Sequence, residues 1–267
     1  MGRTARAITG CILACWASAA HAEIDLPADV ASGWQFERSL KIGFKPWGFK
    51  VVNVKDGYPV RSGQQSLRFE VRPGDCGRNS IGHDDCATDR ERHELVQVGR
   101  NQVEGDDWWY AWSIFVPHDY PNVYPTKVAL GQFHQHPEVI WMFRNRDGGY
   151  FVNRQQELGR GYGFDRILDD KSLRGRWNDI LVHVKWTHTK MGTFRVWVNE
   201  KKAYDYRGPT MGKNTTAYFK FGIYRTFISR YMVEHGVSSV PTQVVYFDEV
   251  RRGHSRQEVT RGLRSRR

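Results

Sequence analysis

The strongest signal along the chain is an alternation of apolar and polar positions with a period of two, which is typical of β-strands. In residues 66–71 (SLRFEV), the apolar side chains Leu67, Phe69 and Val71 fall on one face. Residues 108–116 (WWYAWSIFV) are apolar on both faces, which indicates an inner strand that is covered on both sides. Further strands are predicted at residues 216–225 and 243–250, and at 180–187 and 193–199, which form a hairpin.

These strands predict the fold class. No amphipathic run of ten or more residues indicates a long helix, and no internal repeat is present. Many strands separated by turn residues are typical of antiparallel β-sandwiches. We therefore predict an all-β fold, an antiparallel β-sandwich of jelly-roll type (concanavalin-like), formed as one domain by residues 23–253.

The N-terminal stretch does not follow the strand pattern. Arg3 and Arg6 precede an apolar run at residues 7–20, and Ala20-His21-Ala22 fits a small-x-small cleavage site. The apolar run is too short for a membrane-spanning helix. We predict a secretory signal peptide at residues 1–22, no stable membrane insertion after its cleavage, and a periplasmic or secreted protein.

Export changes how the four cysteines are interpreted. Cys11 and Cys15 would be removed with the signal peptide, which leaves Cys76 and Cys86 in a loop-like stretch rich in Gly, Asp and Asn. In an oxidising compartment, two cysteines this close in sequence favour a disulfide bond. A metal site formed by this pair together with His83 is the alternative.

The formal net charge of +11 would by itself suggest a nucleic-acid partner. However, residues 251–267 carry seven arginines and one glutamate, and two further arginines lie in the predicted signal peptide. The remaining chain is nearly balanced, so we expect no nucleic-acid partner. The Arg-rich tail at residues 254–267 is expected to be solvated, or to bind anionic surfaces or polysaccharide.

Three predicted strands place polar side chains together on one face. The sets are Arg90, Arg92 and Glu94 in residues 89–95 (DRERHEL), Gln132, His134 and His136 in residues 131–136 (GQFHQH), and Tyr218, Lys220, Gly222 and Tyr224 in residues 218–224 (YFKFGIY). An arginine beside a glutamate is suited to bind a carboxylate, with the glutamate holding the guanidinium in place. The glycine leaves a gap through which a ligand or another backbone can approach.

This inventory of side chains favours β-elimination over hydrolysis. Glycoside hydrolysis needs two carboxylates that flank the bond, but Asp248 and Glu249 are adjacent and would face opposite ways on a strand. β-Elimination of a uronic-acid polymer instead needs a donor that neutralises the carboxylate, a base for the C5 proton and an acid for the leaving oxygen. We therefore expect an acidic polysaccharide substrate and no required cofactor, with a structural calcium ion left open.

The same strands carry a family resemblance. Over residues 66–253 the chain resembles bacterial polysaccharide lyases of the heparin lyase I-like family, and more distantly the alginate and glucuronan lyases with a β-jelly roll. The alginate lyases have R-[ST]-E-L, Q-I-H and Y-F-K-A-G-x-Y strands, which correspond here to residues 92–95, 132–134 and 218–224. His93 and Val96 depart from the alginate pattern, so the resemblance leaves glucuronan, a glycosaminoglycan or another uronate polymer open as the substrate.

The resemblance also implies roles for individual residues. It places Gln132 and Arg92 at the substrate carboxylate, His134 as the base or the carboxylate neutraliser, and Tyr224 as the proton donor or the base. It further implies Lys220 as a cation that contacts the substrate. Arg90 and Glu94, on the polar face of their own strand, are also predicted to bind substrate. We predict that the protein is a monomeric polysaccharide lyase that leaves an unsaturated uronate end on its product.

Three alternatives remain at this point. His134 and His136, two apart on a strand, have the spacing of zinc ligands in β-barrels, although no distinctive third ligand follows. A non-catalytic carbohydrate-binding β-sandwich module of the cell envelope would use tryptophans as sugar platforms; the candidates are Trp108, Trp109, Trp141 and Trp177. An envelope protein that holds acidic polymers with its Arg-rich tail is the third.

Overall fold

The computed structural model describes residues 24–155 and 162–261. The predicted signal peptide at residues 1–22, with Cys11 and Cys15, lies outside the described residues. Within them, no helix is long and apolar enough to cross a membrane.

Two antiparallel sheets face each other and confirm the predicted jelly-roll sandwich. The sheet that carries the polar strands, here called the site sheet, has the spatial order β10 (Gly163–Leu168), β9 (Gly149–Arg154), β8 (Val139–Arg146), β7 (Lys127–Gln135), β14 (Ala217–Thr226), β5 (Arg90–Val98) and β2 (Gln35–Arg38). The back sheet has the order β13 (Lys201–Arg207), β12 (Thr193–Val198), β11 (Trp177–Lys185), β6 (Asp107–Phe115), β15 (Gln243–Gly253), β4 (Gln65–Val71) and β3 (Phe49–Asn53), with β1 (Ala31–Ser32) pairing in parallel with β15.

The helices are short and lie between or after strands. They are α1 (Asp170–Leu173), α2 (Ile228–His235) and α3 (Arg256–Thr260), and single 3-10 turns form at Val54–Asp56 and Cys86–Thr88. Each strand that the alternation predicts is present, with its ends within four residues of the expected ones. The strands that it did not predict are mostly short or at or near the sheet edges, where weaker burial gives a less regular pattern; they are β1, β2, β3, β8, β9, β10 and β13.

The core forms where the apolar faces of the two sheets meet. Phe133 on β7 and Phe219 and Phe221 on β14 point inward from the site sheet and are fully buried. Phe219 meets Trp112 of β6 in a tilted ring contact, and Phe133 meets Trp186, which directly follows β11, in an edge-on contact; both tryptophans are also fully buried. Because alternate residues face opposite sides of a strand, this packing turns the polar residues of β7 and β14 away from the core.

The beginning of the predicted tail differs from expectation, because it is folded. Ser255 and Glu258 form a capping box that starts α3, in which each side chain accepts a hydrogen bond from the other residue's backbone N–H. Val259 of this helix is 1% exposed and packs against Ala111 on the outer side of the back sheet. Residues 262–267 lie outside the described residues.

Gly222 marks a distortion in the middle of the site sheet. Between Phe221 and Tyr224, β14 has one residue more than β7 opposite it, so the pairing register shifts. Gly222 has φ +133°, which side chains rarely adopt, and a Cβ built there would collide with the carbonyl oxygen of His93 on β5. The gap predicted at this position is therefore occupied by a neighbouring backbone.

We predict that Gly222→Ala destabilises the protein by about 3 kcal/mol, because it adds backbone strain to a steric clash. The matched control is Gly131→Ala on the adjacent β7, where the nearest atom to a new Cβ is 3.7 Å away and the backbone φ is not positive. The control should change stability by about 1 kcal/mol or less. Urea unfolding measures both, and equal effects would contradict the close approach of β5.

Candidate active site

Residues from three adjacent strands meet on the outer face of the site sheet. The pairing register places Tyr218 opposite His134, Lys220 opposite Gln132, Gly222 opposite Glu94, and Tyr224 opposite Arg92. Six of the seven side chains predicted for the site thus form one patch on β5, β7 and β14, here called the central patch. Arg90, the seventh, lies at its edge.

His136 does not belong to the central patch. It follows the end of β7, is exposed, and is joined to Pro137 by a cis peptide bond. In the part of the chain that the structure describes, no three or more His, Cys, Asp or Glu side chains are grouped so that they could hold a metal ion. His134 and His136 therefore have no third metal ligand among the described residues.

Glu94 is the centre of the patch. Its carboxylate accepts a hydrogen bond from Gln132 Nε2 at 2.6 Å and lies 3.4 Å from both Lys220 Nζ and Arg92 Nη1. A carboxylate only accepts, so Glu94 fixes the orientation of the Gln132 amide. The other atom of that amide, Gln132 Oε1, is buried with no hydrogen-bond partner among the described residues. It is available to a hydroxyl group of a ligand.

Arg92 is held mainly by a residue that the strand pattern did not reveal. Its Nε and Nη2 atoms donate to the two carboxylate oxygens of Asp85, each at 2.6 Å. We expected Glu94 to hold this guanidinium, but that contact is the longer one, at 3.4 Å. Asp85 lies outside the three strands, so alternation could not identify it.

The disulfide bond explains how Asp85 reaches Arg92. Cys76 and Cys86 are bonded, with their Cα atoms 5.3 Å apart, which confirms the predicted disulfide and excludes the metal site at this pair. Asp85 is the residue before Cys86, and its backbone N–H donates to the Gly77 carbonyl at 3.0 Å. The bridge thus closes a short loop over β5 and holds Asp85 at the guanidinium. Closing such a loop stabilises by about 2–3 kcal/mol on the chain-entropy model.

His134 is a neutral base in this environment. Burial, together with the nearby positive charges of Lys220 and Arg92, lowers its pKa from 6.5 to about 3, although a hydrogen bond with the Gln135 backbone opposes the shift. Tyr218 OH lies 3.0 Å from His134 Nδ1, so Nε2 is the ring nitrogen left for a ligand. The sequence placed Tyr218 on the polar face but gave it no role.

Tyr224 lies at the border of the central patch. The guanidinium carbon of Arg92 lies 3.9 Å from the centre of its ring. Burial raises the pKa of the Tyr224 phenol, although Arg92 opposes the shift, so the hydroxyl stays protonated at neutral pH. Burial also lowers the pKa of Lys220, and Glu94 counteracts this shift.

His93, one of the two departures from the alginate lyase pattern, does not face the patch. Its side chain is 1% exposed and lies in the core side of β5, where Nε2 is 3.2 Å from Asp75 and the ring packs on Phe44. This difference therefore says nothing about the substrate. Val96, the other departure, is opposite Lys220 and half-buried.

A cleft of about 490 Å³ opens beside Tyr224. The cationic residues that line it are Arg90, Lys127, Arg144, Arg146 and Arg230. Its described lining contains no aspartate, no glutamate and no tryptophan. Trp141, one of the candidate sugar platforms, is instead fully buried, with its Nε1 donating to the Thr210 carbonyl at 2.9 Å.

The family is decided by a match along most of the chain. The family profile described as polysaccharide lyase matches residues 41–251, which include every residue of the central patch and the cleft cations. The chain belongs to the polysaccharide lyase family. No curated protein matches it closely enough to count as a relative.

Solved structures of other lyases share the fold of this polysaccharide lyase. The chain is similar to an endo-β-1,4-glucuronan lyase from the fungus Trichoderma reesei, with 16% identity, TM-score 0.58 and coverage of 84% of this chain and 96% of that one. It is also similar to an alginate lyase of polysaccharide lyase family 7, with 16% identity, TM-score 0.54 and coverage of 86% and 98%. An alginate lyase from Klebsiella pneumoniae has 14% identity, TM-score 0.51 and coverage of 72% and 82%.

We predict that Asp85→Asn destabilises this lyase by about 3 kcal/mol, because it leaves the buried Arg92 charge without its main partner. The same change should lower activity, since the guanidinium is no longer held. Asp84→Asn is the control. The Asp84 carboxylate forms a more exposed ion pair with Arg78 at 2.9 Å, and this pair should contribute about 1 kcal/mol or less to stability. Urea unfolding and initial rates test both, and equal behaviour of the two variants would refute the role of Asp85.

We predict a pH effect on stability from His134. Its folded pKa is about 3, below the value of about 6.5 expected when unfolded, so the unfolded chain binds a proton that the folded protein does not. The contribution of neutral His134 to the free energy of unfolding is therefore present above pH 6.5 and is lost as the pH falls toward 3. Between pH 7 and pH 5 the loss should be about 2 kcal/mol. Urea unfolding of wild type and His134→Gln measures it, and identical pH dependences would contradict a neutral buried His134.

Proposed function

We propose that this enzyme cleaves a uronic-acid-containing polysaccharide by β-elimination and leaves an unsaturated uronate end. The observation that carries the proposal is the central patch, where Gln132, His134 and Tyr224 lie on adjacent strands beside a cationic cleft. Among the described residues, the lining of that cleft contains no carboxylate pair, which hydrolysis would need.

In the proposed reaction, His134 is the base. It is unprotonated at neutral pH, as a base must be. Nδ1 then carries the ring proton and donates to the Tyr218 oxygen, so that Nε2 takes the proton from C5 of the uronate. The C5–H electron pair forms the C4–C5 double bond, and the bond between C4 and the glycosidic oxygen breaks.

Tyr224 is the proposed acid. Its phenol is protonated at neutral pH and Tyr224 lines the cleft, so its proton can pass to the departing glycosidic oxygen. Arg92, stacked on the ring, stabilises the phenolate that remains after the transfer. The protonation states of the two side chains therefore match one base and one acid.

The substrate carboxylate is proposed to lie at Gln132. One N–H of this amide donates to Glu94, and the second is free to donate to the uronate. Lys220 and Arg92 are positioned behind it and add positive potential, which stabilises the charge that develops as C5 loses its proton. We propose that no cofactor is needed for these steps; whether a structural calcium ion binds elsewhere stays a prediction.

Glucuronan, alginate and glycosaminoglycans are all proposed as candidate polymers. The heparin lyase I-like specificity stays one hypothesis among these. A binding module without turnover is the weaker alternative, because the described lining of the cleft has no tryptophan platform and a lectin has no need of a neutral histidine that is hydrogen-bonded to a tyrosine. We also propose that the protein is exported and has no nucleic-acid partner, on the strength of the signal-type N-terminus; the monomeric state stays a prediction.

We predict that the enzyme generates absorbance in the ultraviolet from at least one uronate polymer, because the new double bond is conjugated to the carboxylate. Glucuronan, alginate, hyaluronan, chondroitin and heparan sulfate form the panel, with and without calcium. Tyr224→Phe and His134→Ala should each lower kcat by about 100-fold or more, because each removes a proton-transfer group.

The matched variants make this test specific. Tyr224→Phe keeps the ring that covers Arg92 and removes only the hydroxyl, so a loss of activity without a loss of stability identifies proton transfer. Tyr218→Phe should reduce the rate less, by about tenfold, because that hydroxyl only orients His134. If folded protein were inactive on the whole panel, or if Tyr224→Phe kept the wild-type rate, the proposal would be wrong.

A further inference from the structure

The cleft beside Tyr224 contains a second group of charged residues that the proposed reaction does not use. Lys127 lies on β7, Arg144 and Arg146 lie on β8, and Arg230 lies on α2. Four cations from three elements thus converge on one cavity, although α2 lies far from β7 and β8 in sequence. Arg90, on β5, adds a fifth at the border with the central patch.

These cations are supported by aromatic rings. The guanidinium carbons of Arg144 and Arg146 lie 5.3 and 4.9 Å from the ring centre of Phe164. On another wall, Lys127 and Arg230 lie 4.7 and 4.2 Å from the ring centre of Phe227. None of the four forms an ion pair with a carboxylate of a described residue. An aromatic face holds a cation in place without cancelling its charge.

The uncancelled charges act on one another. Burial lowers the pKa of Lys127, and the repulsion from Arg144, Arg230 and Arg146 lowers it further. Burial and Arg146 also lower the pKa of Arg144 to about 10. In addition, Arg144 Nε is buried with no hydrogen-bond partner in the described part of the chain. An anion bound in the cleft would relieve the repulsion and supply the missing acceptor.

We propose that the cleft is a second binding site for the polymer, in which Arg144, Arg146 and Lys127 bind the carboxylate or sulfate group of a sugar beyond the cleaved bond. This inference rests on the proposed lyase function. Tyr224 lines the cleft and also belongs to the central patch, so one polymer chain can occupy both. The enzyme should therefore favour polymers with charged groups on neighbouring sugars over those with widely spaced charges.

The test is the double variant Arg144→Gln/Arg146→Gln. KM for long polymer should rise by about tenfold, the equivalent of about 1.4 kcal/mol, while kcat changes little, because the lost contacts are the same in the ground state and the transition state. The salt dependence of kcat/KM should also become weaker. The matched control is Lys201→Gln/Arg207→Gln, which removes two exposed charges from β13 in the back sheet and should leave KM unchanged.

Substrate length and substrate charge provide two further tests of the second site. On the shortest oligomer that is still cleaved, wild type and double variant should have equal KM, because that oligomer does not reach the cleft. The KM defect of the double variant is then compared on three polymers: glucuronan, with a carboxylate on every sugar, hyaluronan, where the carboxylates alternate, and heparan sulfate. This comparison identifies the anion that the cleft binds. If the defect is largest on heparan sulfate the group is a sulfate, and if it is largest on glucuronan it is a carboxylate.

Failure of this inference and failure of the lyase function give different results. An active enzyme whose double variant keeps the wild-type KM on every polymer would overturn the second site and leave the lyase function standing. If no polymer is cleaved, calorimetry of oligouronate binding still reports on the site: weaker binding by the double variant supports it, and equal binding refutes it.

Discussion

Four buried charges, three in the central patch and one in the loop beside it, are the constraint on which the rest of the site depends. Asp85 and Glu94 are fully buried, and Arg92 and Lys220 are 7% exposed. Moving such charges out of water is costly unless each one has a partner at close range. Here two carboxylates face two cations, so the set is balanced only when all four are in place.

This balance links the active site to parts of the fold that do not touch the substrate. Glu94 and Lys220 are brought together by the pairing of β5 with β14, whose close approach at position 222 requires a glycine. Asp85 arrives from a loop that the disulfide bond closes. The orientation of the Gln132 amide then follows from Glu94, because the carboxylate accepts only the N–H side. A substitution in the loop or at Gly222 would therefore disturb the catalytic groups, because it would disrupt this charge pairing.

The sequence predicts those features that depend on local alternation. The polar face of β7 and β14 and the core position of Phe133 follow from a period of two, and both are observed. Asp85 was missed because its contact with Arg92 depends on how a loop folds back, which strand periodicity does not encode. The cationic cleft was missed for a related reason: Lys127, Arg144 and Arg230 become neighbours only when β7, β8 and α2 are assembled. The near-neutral charge of the body also concealed it, since a sum over the chain does not show where charges gather.

Positive charge is balanced by carboxylates in the central patch but not in the cleft, and the chemistry of each region explains the difference. Proton transfer needs defined protonation states, and the carboxylate partners in the central patch limit the net positive charge around His134 and Tyr224 while burial fixes their pKa values. Binding a polyanion needs uncancelled positive charge, and the rings of Phe164 and Phe227 support cations without neutralising them. If carboxylates replaced those rings, the cleft would lose its attraction for the polymer. If rings replaced Asp85 and Glu94, the central patch would carry two unpaired buried cations, and the added repulsion would further weaken the affinity of His134 for the proton that it must accept.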